Sequence, residues 1–322
     1  MTIIAANEVA EQRSGEPAPD AGPSKAIEGR TPLQLAWARL KKDKVSLVCL
    51  VVILLLVLVA VFANQLTDLI GHPPNVQYRD KGLASNGLPV APSSFFLFGG
   101  DDLGRDVLSR VIHGTQVSLL VGVLATALAV LIGVVVGTTA GYFGGRVDTV
   151  LSRTMDVFLS FPFLLFAISL VSVFSPSVKI SIFVIAFFTW SNVGRIVRGQ
   201  VLSIREKEYI EAARSLGAGD LRIMTIDVLP NLVAPIIVYA TLLIPTAIVF
   251  EATLSFLGLG VPIPTPTWGN MIAESQSTYL QAWWFLVFPS LALFITTLAF
   301  NLLGDGLRDA LDPRAARVLA RK

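Results

Sequence analysis

Long uncharged runs dominate this 322-residue chain, and their lengths set the first expectation. A bilayer's hydrocarbon core is about 30 Å thick, which a helix crosses with roughly 20 apolar residues. Runs of that order occupy 45–63, whose polar side chain is Ser46, then 117–141, rich in Gly and Ala, and 157–174. A shorter run at 180–194 extends to about 198 because Arg195 and Arg198 can snorkel to the interface. Two more follow, 231–257, interrupted by Glu251, and 280–304. The pattern predicts an all-α polytopic membrane protein of about six transmembrane helices.

The segments between the runs are punctuated differently from one another. Residues 1–30 are rich in Pro, Gly, Ala, Glu and Ser without an apolar core, so they read as a disordered tail and not a signal peptide. Thr31 and Pro32 then suit the start of a helix over 31–44, with Leu33, Trp37 and Leu40 on one side and Arg39, Lys41, Lys42 and Lys44 alongside. That composition suits an amphipathic helix at the membrane interface, or else a plain extension of the first span. Residues 305–322 form a basic tail.

Charge decides orientation. With the N-terminus inside and six spans, 20 Lys and Arg fall inside and 5 outside. Leaving out the N-terminal tail and the long first outer loop still gives 13 against 1. Both termini are expected in the cytoplasm, and the membrane is expected to be the bacterial cytoplasmic one. Composition agrees: 53% of residues are hydrophobic and 15% charged, where a soluble domain carries about a quarter. A net charge of +2 gives no sign of a nucleic-acid partner, and the single Cys49 excludes an intrachain disulfide.

Chemistry is sparse. No phosphate-binding loop, H-E-x-x-H or G-x-S-x-G occurs, and His72 and His113 lack metal-ligand spacing. No catalytic residue, metal ligand or resident cofactor is expected, so energy must come from another chain or an ion gradient. Glu251 is the ionisable group within a span, which makes it either a carboxylate bonded to a neighbouring helix or the centre of an ion-coupled carrier. Asp101, Asp102, Arg105 and Asp106 precede the second span on the outer side. They form either a docking site for an external or sister protein or an internal ion-pair network. Gly122, Gly133, Gly137 and Gly141 allow close helix packing. Pro162, Pro235, Pro245 and Pro289 are either bending points or tolerated prolines.

The richest segment is the inner loop over 203–230. Ser203 and Glu206 have capping-box spacing. A helix is predicted from there to about Leu216, stopped by Gly217 in a left-handed conformation. Asp220 is predicted to cap a second helix through about Val228, ended by Pro230. Tyr209, Ala212, Ala213 and Leu216 form one apolar stripe, and Leu221, Met224 and Val228 another. Such a projection either packs on the protein's own spans or docks into a groove on a separate protein.

EAARSLG followed by LPN resembles the cytoplasmic signature of ABC-importer permeases, on Glu211, Ala212, Ala213, Gly217, Leu229 and Pro230. Asp227 departs from it, standing where the general signature has Ile and many peptide-type members have His. FGGDDLGRDVLSRVIHGTQVSL at 98–119, FEATLSFLGLG at 250–260 and PTPTWGNMI at 264–272 resemble the C-type permease of dipeptide, oligopeptide and nickel importers. The resemblance implies a second, related permease, two ATPase subunits that bind ATP and Mg, and an extracytoplasmic substrate-binding protein. It implies that Tyr209, Glu211, Ala212, Ala213, Leu216, Gly217, Leu229 and Pro230 face an ATPase. Peptide is the substrate expected from the subgroup. An ion-coupled carrier using Glu251 and a membrane-embedded enzyme are the competing classes.

Overall fold

The computed structural model describes residues 37–311; the predicted tail 1–30, the start of the predicted interfacial helix and residues 312–322 lie outside the described residues. Among the described residues the protein is helical. Residues 37–40 form a helical turn, Lys41 and Lys42 turn the chain, and Asp43 starts a new helix, so this segment is not an extension of the first span. Helix α1, Lys44–Val61, is capped by the Asp43 carboxylate, which accepts from the Val45 N–H at 3.0 Å. Its Val48, Val51, Leu54, Leu55, Leu58 and Val61 are more than half exposed, a surface that only lipid can cover favourably. The short α2, Ala63–Ile70, follows.

Helix α3, Val107–Phe143, begins ten residues before the predicted second span. The extension is tolerated because its charged residue, Arg110, is buried against carboxylates rather than left to lipid. Helices α4, Gly145–Ser160, and α5, Phe163–Phe174, bend by 86° at Phe161 and Pro162, so the third predicted run is divided between two helices. Five helices are long and apolar enough to cross a membrane, six if this pair is one span.

Helix α6, Val178–Arg205, corrects the predicted loop start. Ser203 lies inside this helix and Glu206 at its end, so no capping box forms. The helix runs on because its arginines are satisfied: Arg195 bonds Asp156 at 2.7 Å, Arg198 pairs with Asp148, and Arg205 donates to the Gly141 carbonyl at 3.0 Å. After α7, Glu208–Ser215, comes α8, Asp220–Phe256. Pro230 does not end α8. A π-turn over Ile223–Val228 precedes it, with the Leu229 N–H bonded to the Met224 carbonyl, and the widened turn absorbs a residue that has no N–H to give. Pro235, Pro245 and Pro289 sit inside continuous helices. The short helix α9, Trp268–Ser275, and the last long helix α10, Trp283–Leu311, complete the described residues, with α10 running into the predicted tail.

At the centre α3 lies on α6 at backbone distance. A Cβ at Gly133 would sit 2.5 Å from Val193 Cβ, one at Gly137 2.5 Å from the Gly194 carbonyl oxygen, and one at Gly141 2.7 Å from Val201 Cβ. Lipid offers no hydrophobic drive to join two apolar helices, so this close approach must supply the association through dispersion. Gly137→Val is therefore expected to separate the pair and cost about 1–3 kcal/mol or more. Thermal unfolding in detergent should show a lower midpoint for it, while Gly199→Ala, where nothing lies within 4 Å, should leave the midpoint unchanged.

Candidate functional site

The projection within 203–230 is built from α7, a turn, and the first two turns of α8. Lys207 adopts an extended conformation that swings the chain off the end of α6, and α7 starts without a side-chain cap. Its anchor is Ile210, fully buried in a cluster with Val201, Ile223, Val228 and Leu232. The turn closes in a Schellman arrangement. Gly217 takes φ +81°, its N–H reaches the Arg214 carbonyl at 2.9 Å, and the Ala218 N–H reaches the Ala213 carbonyl at 3.0 Å. Ala213 and Ala218, half-buried, pack together against the cluster.

This divides the predicted stripes. Ala213 turns inward with Ile210, while Leu216 is 88% exposed, Tyr209 46% exposed, and Ala212 and Glu211 exposed beside them. On the second arm Ile223 and Val228 are buried and Met224 half-buried, whereas Leu221 is 75% and Ile226 59% exposed. Sequence reasoning missed Ile210, Ile223 and Ile226. Ile210 and Ala213 share a face at i, i+3, a signal that was available. Ile223 and Val228 share one at i, i+5, which only a π-turn makes legible. Leu229 is half-buried and Pro230 exposed at the base. Asn231 donates to the Asp227 carbonyl at 2.7 Å and lies 3.4 Å from the Tyr209 hydroxyl.

At the base of the projection one bond joins α6 to α3, and two contacts join the projection itself to α3. Arg205 holds the Gly141 carbonyl at the end of α3. The adjacent Tyr142 donates its hydroxyl to Asp220 Oδ1 at 2.8 Å, and the Arg214 guanidinium lies 5.1 Å from the Tyr142 ring centroid. Asp220 is thus not the predicted cap; Gly219 stands at that position and the carboxylate serves Tyr142.

At the opposite end of α3 from the projection, the four predicted charges are drawn inward. Asp101, Arg105 and Asp106 are buried and Asp102 is partly exposed. Asp101 accepts from the Leu103 and Arg105 N–H groups at 3.0 and 2.8 Å and from Arg105 Nε at 2.5 Å. Arg105 and Arg110 both donate to Glu274 Oε2, at 3.0 and 2.8 Å, clasping the start of α3 to α9. Asp106 caps α3 through the N–H groups of Leu108 and Ser109. Burial pushes the Glu274 carboxyl up, opposed by the Arg110 and Arg105 guanidiniums. Burial, then the Asp101 charge, pushes Asp102 up. Asp101, Asp102 and Glu274 converge closely enough to ligate a cation, but Arg105 and Arg110 already supply that cluster with positive charge. Glu274 carried no sequence signal, being 164 residues from Arg110.

Glu251 is fully buried and accepts from Ser118 on α3 at 3.0 Å and from Ser255 at 2.7 Å. His113 lies 3.1 Å from both the Ser109 carbonyl and Asn64 Oδ1, while His72 sits among Tyr78, Phe95 and Phe96, so the two imidazoles serve separate sites.

The family described as binding-protein-dependent transport system inner membrane component matches residues 129–317, and the N-terminal transmembrane domain of oligopeptide transport permease C matches 31–85. The chain is 43% identical over 284 residues to the dipeptide transport system permease protein DppC of Escherichia coli strain K12, covering 88% of this chain and 94% of that one. It is 42% identical to the Bacillus subtilis strain 168 dipeptide permease, covering 88% of this chain and 86% of that one. It is 41% identical to the glutathione transport system permease protein GsiD of Escherichia coli O6:K15:H31, covering 88% and 91%. A solved chain of the MetNI methionine ABC transporter in inward facing conformations is similar in fold at a TM-score of 0.54, with 18% identity over 63% of this chain and 96% of that one. With a family model over more than half of its length and relatives of this identity over most of it, the chain belongs to the binding-protein-dependent transport system inner membrane components, the permeases of ABC importers.

Proposed function

We propose that this permease forms half of a peptide-conducting pathway, paired with a related second permease and driven by two ATPase subunits that bind the ATP and Mg. An extracytoplasmic binding protein delivers the peptide, and the chain itself catalyses no reaction and holds no cofactor. Both termini and the 203–230 projection face the cytoplasm in this reading. The observation that carries it is the projection's construction. Buried Ile210, Ile223 and Val228 fix it to the spans, and Leu216, Leu221 and Ile226 point away from them. Apolar side chains so exposed on a rigid turn cost solvation until a partner covers them. Peptide is supported by the dipeptide and glutathione names of relatives at about 40% identity.

Movement follows from the same parts. ATP binding draws the ATPases together, and a stiff projection seated in one of them passes that displacement to α6 and α8. Glu251 is spoken for by two serines, which favours a structural role over ion coupling.

Leu216→Asp is expected to abolish co-purification of the ATPase, a loss of at least about 2 kcal/mol for a central docking side chain, while the permease still reaches the membrane. Retained co-purification and ATP-driven uptake in that variant would argue against docking here. Orientation is checked separately: in a Cys49→Ser background, Leu216→Cys should react with an impermeant maleimide only in inside-out vesicles. An uncoupler should leave uptake intact while ATP is held constant; collapse would favour the carrier.

A further inference from the structure

We propose that Tyr142 is the positioning residue through which the inner projection acts on α3, and so on the outer face of the protein. This rests on the ATP-coupling reading above and adds the path by which the coupling crosses the membrane.

Tyr142 sits in the last turn of α3, buried against the cluster that anchors the projection. It touches both arms of the turn at once. Arg214, three residues before Gly217, lies over its ring, and Asp220, three residues after, accepts its hydroxyl at 2.8 Å. Next to it, the Gly141 carbonyl takes Arg205 from the end of α6. The projection is therefore pinned to α3 as well as to α6 and α8, to which it is covalently joined. Tyr142 is buried and Asp220 exposed, and a bond to a charged acceptor is short and directional, so displacement of the turn carries the end of α3 with it.

Helix α3 is a suitable rod. It has 37 residues, about 55 Å at 1.5 Å per residue, and contains no proline. Its far end is capped by Asp106 and bears Arg110, which holds Glu274 of α9 at 2.8 Å. One helix thus has the inner projection at one end and the outer clasp at the other. An axial or rocking motion imposed at Tyr142 reaches the Arg110–Glu274 contact without passing through a flexible joint. The outer clasp then opens or closes with the state of the ATPases.

The test uses the complete importer, with sister permease, ATPases and binding protein, in proteoliposomes with radiolabelled alanyl-alanine. Tyr142→Phe keeps the ring and its contact with Arg214 but removes the hydroxyl. It is expected to keep ATPase assembly and hydrolysis while peptide moved per ATP falls about tenfold, equal to about 1.4 kcal/mol of coupling. Asp220→Ala should reproduce this, Asp220→Asn, which retains an acceptor, should recover most of it, and Thr139→Ala, whose hydroxyl bonds its own helix at the Val135 carbonyl, should behave as wild type. A second readout needs no substrate: in a Cys49→Ser background, the maleimide reactivity of Leu103→Cys beside the outer clasp should respond to ATP, and Tyr142→Phe should suppress that response. An unchanged transport-to-hydrolysis ratio with an intact Leu103→Cys response would overturn the relay, as would loss of ATPase binding in Tyr142→Phe, which would make Tyr142 a folding residue. If the wild-type importer hydrolyses ATP yet moves no peptide, the substrate reading fails instead, and the labelling response still decides for or against Tyr142.

Discussion

Close backbone packing of α3 on α6 is the constraint from which the rest follows. Gly133, Gly137 and Gly141 leave no room for a Cβ against Val193, Gly194 and Val201, so the two helices are locked in register over their inner halves. That register brings the end of α3 beside the end of α6, where Arg205 can reach Gly141 and Tyr142 can reach Asp220. It also buries Val197 and Val201 where Ile210, Ile223 and Val228 close over them. Loosen the helix pair and the inner projection loses both its floor and its tether.

The two faces of the protein use opposite chemistry for the same purpose, immobilisation. At the projection the anchor is apolar, with three fully buried β-branched residues and a Schellman turn. At the other end of α3 it is ionic, with Arg105 and Arg110 converging on Asp101 and Glu274 in a largely buried setting. Buried ion pairs add little net stability, but removing one partner strands the other, so such a clasp specifies geometry more than it strengthens the fold. The groups left outward on the projection are Leu216, Leu221 and Ile226, with Glu211 and Tyr209 around them.

Much of this was legible in the residues, and the misses share causes. Span positions followed from uncharged runs, and the Gly217 turn followed from a glycine after a helix-forming stretch. The bend at Pro162 was one of two open alternatives, and the structure settles it. The start of α3 was read too late: the helix begins at Val107 and carries Arg110, which a carboxylate 164 residues away neutralises. Ser203 and Glu206 had the spacing of a cap but lie where α6 is still held by Arg198 and Arg205, so tertiary pairing overrode a local signal. Pro230 looked like a stop because α-helical geometry was assumed; a π-turn removes the conflict. In the candidate site, the sequence stripes mixed exposed Leu216 and Leu221 with inward Ala213 and Val228, and missed Ile210, Ile223 and Ile226, since burial at i, i+5 matches no standard helical face.

The account stands or falls on which side chains of the projection meet the ATPase. A photo-crosslinking residue placed at Leu216 in the assembled importer is predicted to give a covalent product with the ATPase chain, while one at Ile210 gives none because that position faces the permease's own core. Crosslinks from Ile210 but not Leu216, or from neither, would contradict it.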